Sequence, residues 1–212
     1  MQTVHWVLIG IGILLLLAIL SYLVLNYIYH KPMGSIWPYL FSIFMFWLWI
    51  FTIYETPSKR RERLKKAGAK EGQVIVDLGC GIGRFTFLAA RIVGTAGKVY
   101  ALDIHPLHTA IVAARIAIGG PKNISVMHAD CCATGLPGKA IDLIFINDAF
   151  HEFDKVGCLK EAARILKADG ILAIDEHEMK EAEFLNIVEE ANLFTLFEKE
   201  KRLYRFRPLI KK

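Results

Sequence analysis

The first 54 of the 212 residues almost lack charge, with Lys31 the single charged side chain among them. All 21 acidic residues and 25 of the 26 basic ones lie from Glu55 onward. That division excludes a uniform globule. It separates an apolar leader from a charged remainder long enough for one α/β domain with its own core. Cysteine is scarce too. The four present, Cys80, Cys131, Cys132 and Cys158, show neither metal-site spacing nor a disulfide framework. They read as reduced thiols in a cytosol-facing domain, and no metal is expected. Nucleic-acid recognition motifs are missing, and a net charge of +5 is modest. No nucleic acid partner is expected.

The leader consists of two apolar runs. Val4 to Tyr29 exceeds the ~20 residues a helix needs to cross ~30 Å of hydrocarbon. It lacks the basic start, shorter apolar run and small-residue cleavage site of a secretory signal, and reads as a retained transmembrane helix. His30-Lys-Pro-Met-Gly-Ser35 breaks the pattern. Ile36 to Tyr54 follows with nine aromatics and reads as a second spanning helix, the alternative being a helix lying in the interface. Lys59-Arg-Arg-Glu-Arg-Leu-Lys-Lys66 then supplies six cations. By the positive-inside rule these keep that end at the cytoplasmic face, where anionic membrane lipid attracts them. The expected organisation is a membrane-anchoring region over 1–55 (helices about 4–29 and 36–54), a basic juxtamembrane helix over 56–71, and a catalytic domain over 72–212. Self-association through the apolar leader is left open.

The charged remainder is organised around Val74-Ile-Val-Asp-Leu-Gly-Cys-Gly-Ile-Gly-Arg84. A β-branched run ends in an acid, and glycines follow at alternate positions before a helical pattern begins. That is a buried strand feeding a helix through a glycine-rich turn. Glycine lets the backbone close on a ligand, and the helix directs free N–H groups at the same spot. Further strands are expected over Lys98–Asp103, Asn123–His128, Ala140–Ile146 and Ile171–Asp175. Helices are expected over Arg84–Val93, Pro106–Ile118, Lys155–Leu166 and Lys180–Ala191. Phe194–Glu200 and Arg202–Arg207 read as a closing hairpin, which forces one strand antiparallel. The fold class is α/β: a Rossmann-like, mostly parallel seven-stranded sheet with a terminal antiparallel hairpin, preceded by one or two transmembrane helices.

Three acids close successive strands: Asp77, Asp103 and, just beyond the third, Asp130. Ligands of open α/β sheets sit beyond the carboxyl ends of the strands. Asp103 follows the glycines at a distance that suits both hydroxyls of a ribose, and Asp130 with the Cys131 backbone reaches toward an adenine edge. A nicotinamide dehydrogenase also uses a glycine turn and a second-strand acid. Its G-x-G-x-x-G order is not met by Gly79, Gly81 and Gly83 followed by Arg84.

Asp77-Leu-Gly-Cys-Gly-Ile-Gly83, Ala101-Leu-Asp-Ile-His105, Ala129-Asp130, Asp142-Leu-Ile-Phe-Ile-Asn147 and Ala163-Arg-Ile-Leu-Lys-Ala-Asp-Gly-Ile171 together resemble the successive motifs of class I S-adenosylmethionine-dependent methyltransferases. The resemblance covers about residues 70–207 and leaves the leader outside. It implies S-adenosyl-L-methionine as cofactor. Asp77, Gly79, Cys80, Gly81 and Gly83 would hold the methionine part, Asp103 the ribose, and Ile104 one adenine face. Asp130 and the Cys131 amide would meet the adenine edge, and Asn147 would sit beside the reactive methyl.

Methyl transfer is an in-line displacement, so the protein chiefly positions the nucleophile and excludes water. Where the nucleophile is protonated, a base is needed, and Asn147-Asp-Ala-Phe-His-Glu152 is the place for it. His151 is the candidate, or else a residue that shapes the pocket; Asp148 and Glu152 are weaker candidates. His177 also faces a substrate, whereas His105 and His108 flank the cofactor or lie on the surface. The segments 142–151 and 163–178 look most like quinone C-methyltransferases and their phospholipid and small-molecule relatives. A lipophilic or small-molecule methyl acceptor is therefore expected. Methylation of a lysine on a membrane protein, or cofactor binding without catalysis, are the alternatives.

Overall fold

A computed structural model of the chain describes residues 56–209 and, apart from these, the helical pair Ile19 and Leu20. Apart from that pair, which falls in the first run, the two apolar runs and with them both expected spanning helices lie outside the described residues. Among the described residues no helix is long and apolar enough to cross a membrane. The chain divides into two compact units, Met1–Glu55 and Thr56–Lys212.

The second unit begins with α1 (Pro57–Ala67). Thr56 caps it, its hydroxyl accepting from the Lys59 amide, and Pro57 holds the first turn with its fixed φ. Gly68 ends it at φ 110, returning its N–H to Leu64 and Lys65. Strands and helices then alternate: β1 (Val74–Leu78), α2 (Thr86–Val93), β2 (Lys98–Asp103), α3 (Pro106–Ala117), β3 (Ile124–His128), β4 (Ile141–Asn147), α4 (Lys155–Ile165) and β5 (Leu166–Asp175). Helix α5 (Glu181–Ala191) and the strands β6 (Phe194–Glu200) and β7 (Leu203–Pro208) complete the unit. The seven strands form one sheet in the order β3-β2-β1-β4-β5-β7-β6. All neighbours are parallel except β7, which runs antiparallel to both β5 and β6.

Successive side chains of β4 explain the layering. Ile144 and Ile146 enter a core with Leu159 and Ala162 of α4 and Phe184 and Val188 of α5. Leu143 and Phe145 enter a second core with Leu64 of α1, Ala89 and Val93 of α2 and Val112 of α3. Both faces of the sheet are therefore covered, which is why the parallel strands read as continuous apolar runs. Each fully buried Leu, Ile or Phe contributes roughly 1.5–3 kcal/mol.

One element differs from expectation. The strand expected to begin at Ile171 begins instead at Leu166, directly after α4, and takes Ala168–Gly170 into a bulge inside β5. Two steps along β4, Ile141 to Leu143, match five along β5, Leu166 to Ile171. The Lys167 ammonium fastens the bulge to Asp142 at 2.6 Å. At the sheet edge, β6 is exposed at every position after Phe194, and its pairing with β7 shifts register between Leu196 and Glu198.

Candidate active site

Strand order reverses between β1 and β4, since β1 leads to β2 on one side and β4 to β5 on the other. A crevice at the carboxyl ends opens at such a switch point. The glycine turn forms its floor. Gly79 has φ 76, and a Cβ there would stand 2.9 Å from Ala149 Cβ and 3.0 Å from Phe153 Cζ. Gly81 has φ 51, and its would-be side chain meets nothing within 4 Å. Gly79 is glycine because protein fills the space beside it. Gly81 faces room that a ligand can use. Gly83 packs against Phe87 and Val112 and bonds back to the Cys80 carbonyl.

The carboxyl of Asp77 closes β1, 3% exposed, and accepts the Thr86 hydroxyl from α2 at 2.5 Å. Burial pushes its pKa from 3.8 to about 6; the Thr86 bond opposes this and the Asp103 charge adds to it. A buried carboxylate held this way is suited to a cationic partner. Asp103 closes β2. One of its oxygens accepts from the Gly81 amide and the other from the His105 amide, both at 2.8 Å. His108 Nδ1 lies 3.3 Å from the same carboxyl. Beside it Ile104 is 65% exposed, and Ile82 of the turn 45%. These are two apolar side chains at a polar rim, a surface on which a flat ring can lie.

Past β3 the chain makes a tight turn in which Asp130 bridges Ala133 and its carboxyl accepts the Cys132 amide at 2.8 Å. That hydrogen bond holds the carboxyl below the usual range. The thiols of Cys80 and Cys131 do not line the crevice. Cys80 joins the core beneath the turn, where burial raises its pKa, and Cys131 joins the core on the other face of the sheet. These two residues offer the crevice backbone, not side chain.

Asn147 ends β4, and its Oδ1 accepts from Arg63 of α1 at 3.2 Å. Arg63 also reaches Asp175 at the end of β5, at 2.9 Å, and the other Asp175 oxygen meets His177 Nε2 at 2.8 Å. One guanidinium thus ties the ends of two adjacent strands. Asp148 turns the chain at φ 51 and gives its amide to the Asp175 carbonyl at 2.7 Å. This brings His151 onto Glu176: the imidazole Nδ1 stands 3.1 Å from Oε1, and the His151 amide donates to Oε2 at 3.1 Å. Glu176 is 4% exposed. Burial would raise its carboxyl, but the Glu178 amide and the His151 imidazole outweigh that and hold it below the ordinary value.

Sequence reasoning missed Arg63, Thr86, Asp175 and Glu176. Arg63 passed as one cation among six. Helical spacing from Arg60, three residues earlier and on the buried face with Leu64 and Ala67, is the signal that sets it apart. Glu176 follows the last strand residue, where strand-end acids had already marked β1 and β2.

A seven-stranded sheet of this order, with a glycine turn and strand-end acids around its switch point, defines a Rossmann-like domain for a nucleotide cofactor. Residues 69–207 match the family described as a methyltransferase domain, and the chain belongs to it. It is 30% identical over 118 residues to the chloroplastic 2-phytyl-1,4-beta-naphthoquinone methyltransferase of Arabidopsis thaliana, covering 51% of this chain and 43% of that one. With a ubiquinone/menaquinone biosynthesis C-methyltransferase of Marinomonas sp. it shares 27% over 139 residues, 65% of this chain and 55% of the relative. The crystal structure of an S-adenosylmethionine-dependent methyltransferase from Aquifex aeolicus superposes with a TM-score of 0.61 at 26% identity, covering 74% of this chain and 100% of that one. The chain spans about half the length of the curated relatives it matches. Residues 69–207 are thus an S-adenosylmethionine-dependent methyltransferase domain. The crevice fits that cofactor: open space at Gly81, a buried carboxylate for a cationic amine, an anchored carboxylate for hydroxyls, and exposed Ile104.

Proposed function

We propose that this protein is a membrane-anchored methyltransferase that transfers the methyl of S-adenosylmethionine to a lipophilic small molecule of quinone-like character. The observation that carries the cofactor half is the Asp77–Gly81–Asp103 arrangement. The relatives named for quinone substrates and the apolar leader support the acceptor half. Anchoring through residues 4–29 and 36–54, with the domain at the cytoplasmic face, is supported by the cation run. In α1, Lys59, Arg61, Lys65 and Lys66 are exposed, although Lys66 is engaged by Glu62 and Glu200.

The cofactor supplies an activated methyl on a sulfonium that is already a good leaving group. The other tasks fall to the chain. Asp77 takes the ammonium of the amino acid end, with the turn at Gly79–Gly83 beneath it. Asp103 receives the ribose hydroxyls, Ile104 covers one adenine face, and Asp130 with the Cys131 amide meets its amino edge. Asn147, fixed by Arg63, borders the methyl. His151 takes the acceptor's proton. With Nδ1–H donating to Glu176, Nε2 keeps its lone pair outward, and the carboxylate stabilises the imidazolium once the proton arrives.

Calorimetry of the detergent-solubilised full chain with S-adenosylhomocysteine tests the first half; binding that survives Asp103→Asn unchanged would sink it. For the acceptor, membranes given methyl-labelled cofactor are separated into lipid, protein and small-molecule fractions. Label in the lipid or small-molecule fraction is expected, and label in protein alone would replace this reading with lysine methylation.

A further inference from the structure

Among the described residues, a group of metal-binding atoms outside the reacting centre lies where the turn after β3 meets the start of α4. Cys131 and Cys132 Sγ are 3.8 Å apart. A carboxylate oxygen of Asp130 lies within 4.8 Å of both. Cys132 Sγ stands 3.9 Å from Asp154 Oδ2. The corner is kept open by Gly157, where a Cβ would come within 2.6 Å of Cys132 Sγ and 2.6 Å of Asp154 Oδ2. Two sulfurs and the Asp130 carboxylate thus gather in one turn, and the Asp154 carboxylate stands beside Cys132 from a second segment of chain.

We propose that Cys131, Cys132, Asp130 and Asp154 form a site for a thiophilic divalent cation such as zinc or cadmium, whose occupation competes with the nucleotide end of the cofactor. Zinc binds thiolate at about 2.3 Å and carboxylate at about 2.0 Å, which sets tetrahedral edges of about 3.8 Å between sulfurs and about 3.5 Å between sulfur and oxygen. The sulfurs already stand at the first spacing, and Asp154 is within a few tenths of an ångström of the second. The other mixed cluster, Asp148, His151 and Glu176, lacks this freedom. There the Glu176 oxygens already accept from the amides of His151, His177 and Glu178 as well as from the imidazole. No spacing in the sequence announced the thiol site, because Asp154 is 22 residues from Cys132.

On binding, the two thiols release their protons to solvent and both electron pairs go to the cation. Asp130 then turns to the metal and is withdrawn from the adenine edge. The competition rests on the cofactor reading above; the cation site does not.

The test is a cadmium titration of the full chain in detergent, followed by its ultraviolet thiolate charge-transfer band. One equivalent should saturate the band in the wild type, zinc should displace it, and Cys132→Ser should lose most of it. Cys158→Ala, which removes a neighbouring buried thiol, should keep it. No band, or a band undiminished in Cys132→Ser, overturns the site. With cadmium bound, S-adenosylhomocysteine affinity should fall at least tenfold in the wild type and stay unchanged in Cys132→Ser. Unchanged affinity in the wild type overturns the competition. If S-adenosylhomocysteine fails to bind even the metal-free wild type, the cofactor reading fails and the thiolate band still decides the site.

Discussion

Replacing Asp77 separates stability from function. Its carboxyl is buried at the end of β1 and raised from 3.8 to about 6. The unfolded chain ionises it at the ordinary value, and each unit of difference is worth about 1.4 kcal/mol. Folding with this side chain charged therefore costs about 3 kcal/mol. Because the folded value lies above the unfolded one, the contribution of Asp77 is fully present below about pH 4 and is lost as pH rises through about 6. Asp77→Asn keeps the shape and an oxygen for the Thr86 hydroxyl but removes the charge. Without ligand the variant should be more stable than the wild type by about 3 kcal/mol near pH 8, a gain of roughly 6–12 °C in Tm for a domain of this size. Near pH 4 the two should coincide. The same variant should lose S-adenosylhomocysteine binding, because the ligand's ammonium loses its counter-charge. Thermal unfolding of the full chain in detergent at both pH values, with and without S-adenosylhomocysteine, reads all of this. An equal or lower Tm for the variant near pH 8 would refute the electrostatic reasoning.

Three further outcomes follow from the same geometry. Glu176→Gln should lower kcat more than KM and shift the acidic limb of the pH–rate profile to lower pH, since the imidazolium loses its carboxylate; an unmoved profile removes Glu176 as the residue that positions His151. Glu161 is 8% exposed, accepts from the Thr134 amide and hydroxyl and pairs with Arg164, which holds its pKa down to about 2. Its contribution is present above the ordinary 4.5 and lost as pH falls toward 2. Glu161→Ala should cost about 2–4 kcal/mol by urea denaturation at neutral pH, with the difference shrinking in acid. The glycine turn should divide in kind: Gly79→Ala, whose Cβ meets Ala149 and Phe153, should lose about 1–3 kcal/mol of stability. Gly81→Ala should lose only the about 1–2 kcal/mol of its positive φ, with no clash added, yet weaken S-adenosylhomocysteine binding at least tenfold by calorimetry.

The sheet was legible wherever the signal was local. Lys98–Asp103 is apolar, bounded by turn residues and closed by an acid, and it is β2 with those limits. The hairpin at the end of the chain showed itself as two strands with no helix between them. The bulge in β5 was not legible, because Ala168-Asp-Gly170 has turn chemistry and only pairing with β4 decides that the strand runs through it. The strand-end acids of the candidate site were visible for the same local reason. The groups that hold other residues in position were not. Arg63 meets Asn147 from 84 residues away, and Glu176 meets His151 from 25, contacts that exist only once the strands are side by side.

The sheet's growth stops at β6. A parallel α/β sheet stacks strands readily, and a chain at high local concentration can extend a neighbour's edge with its own. Here the last strand turns such partners away. Its register shift interrupts the backbone ladder, while Glu198, Lys199 and Glu200 are committed to Arg205, Glu181 and Lys66. The exposed ring of Phe197 lies under the guanidinium groups of Arg205 and Arg207, which deny it to another apolar surface. The outermost strand therefore protects this edge against pairing with a second copy.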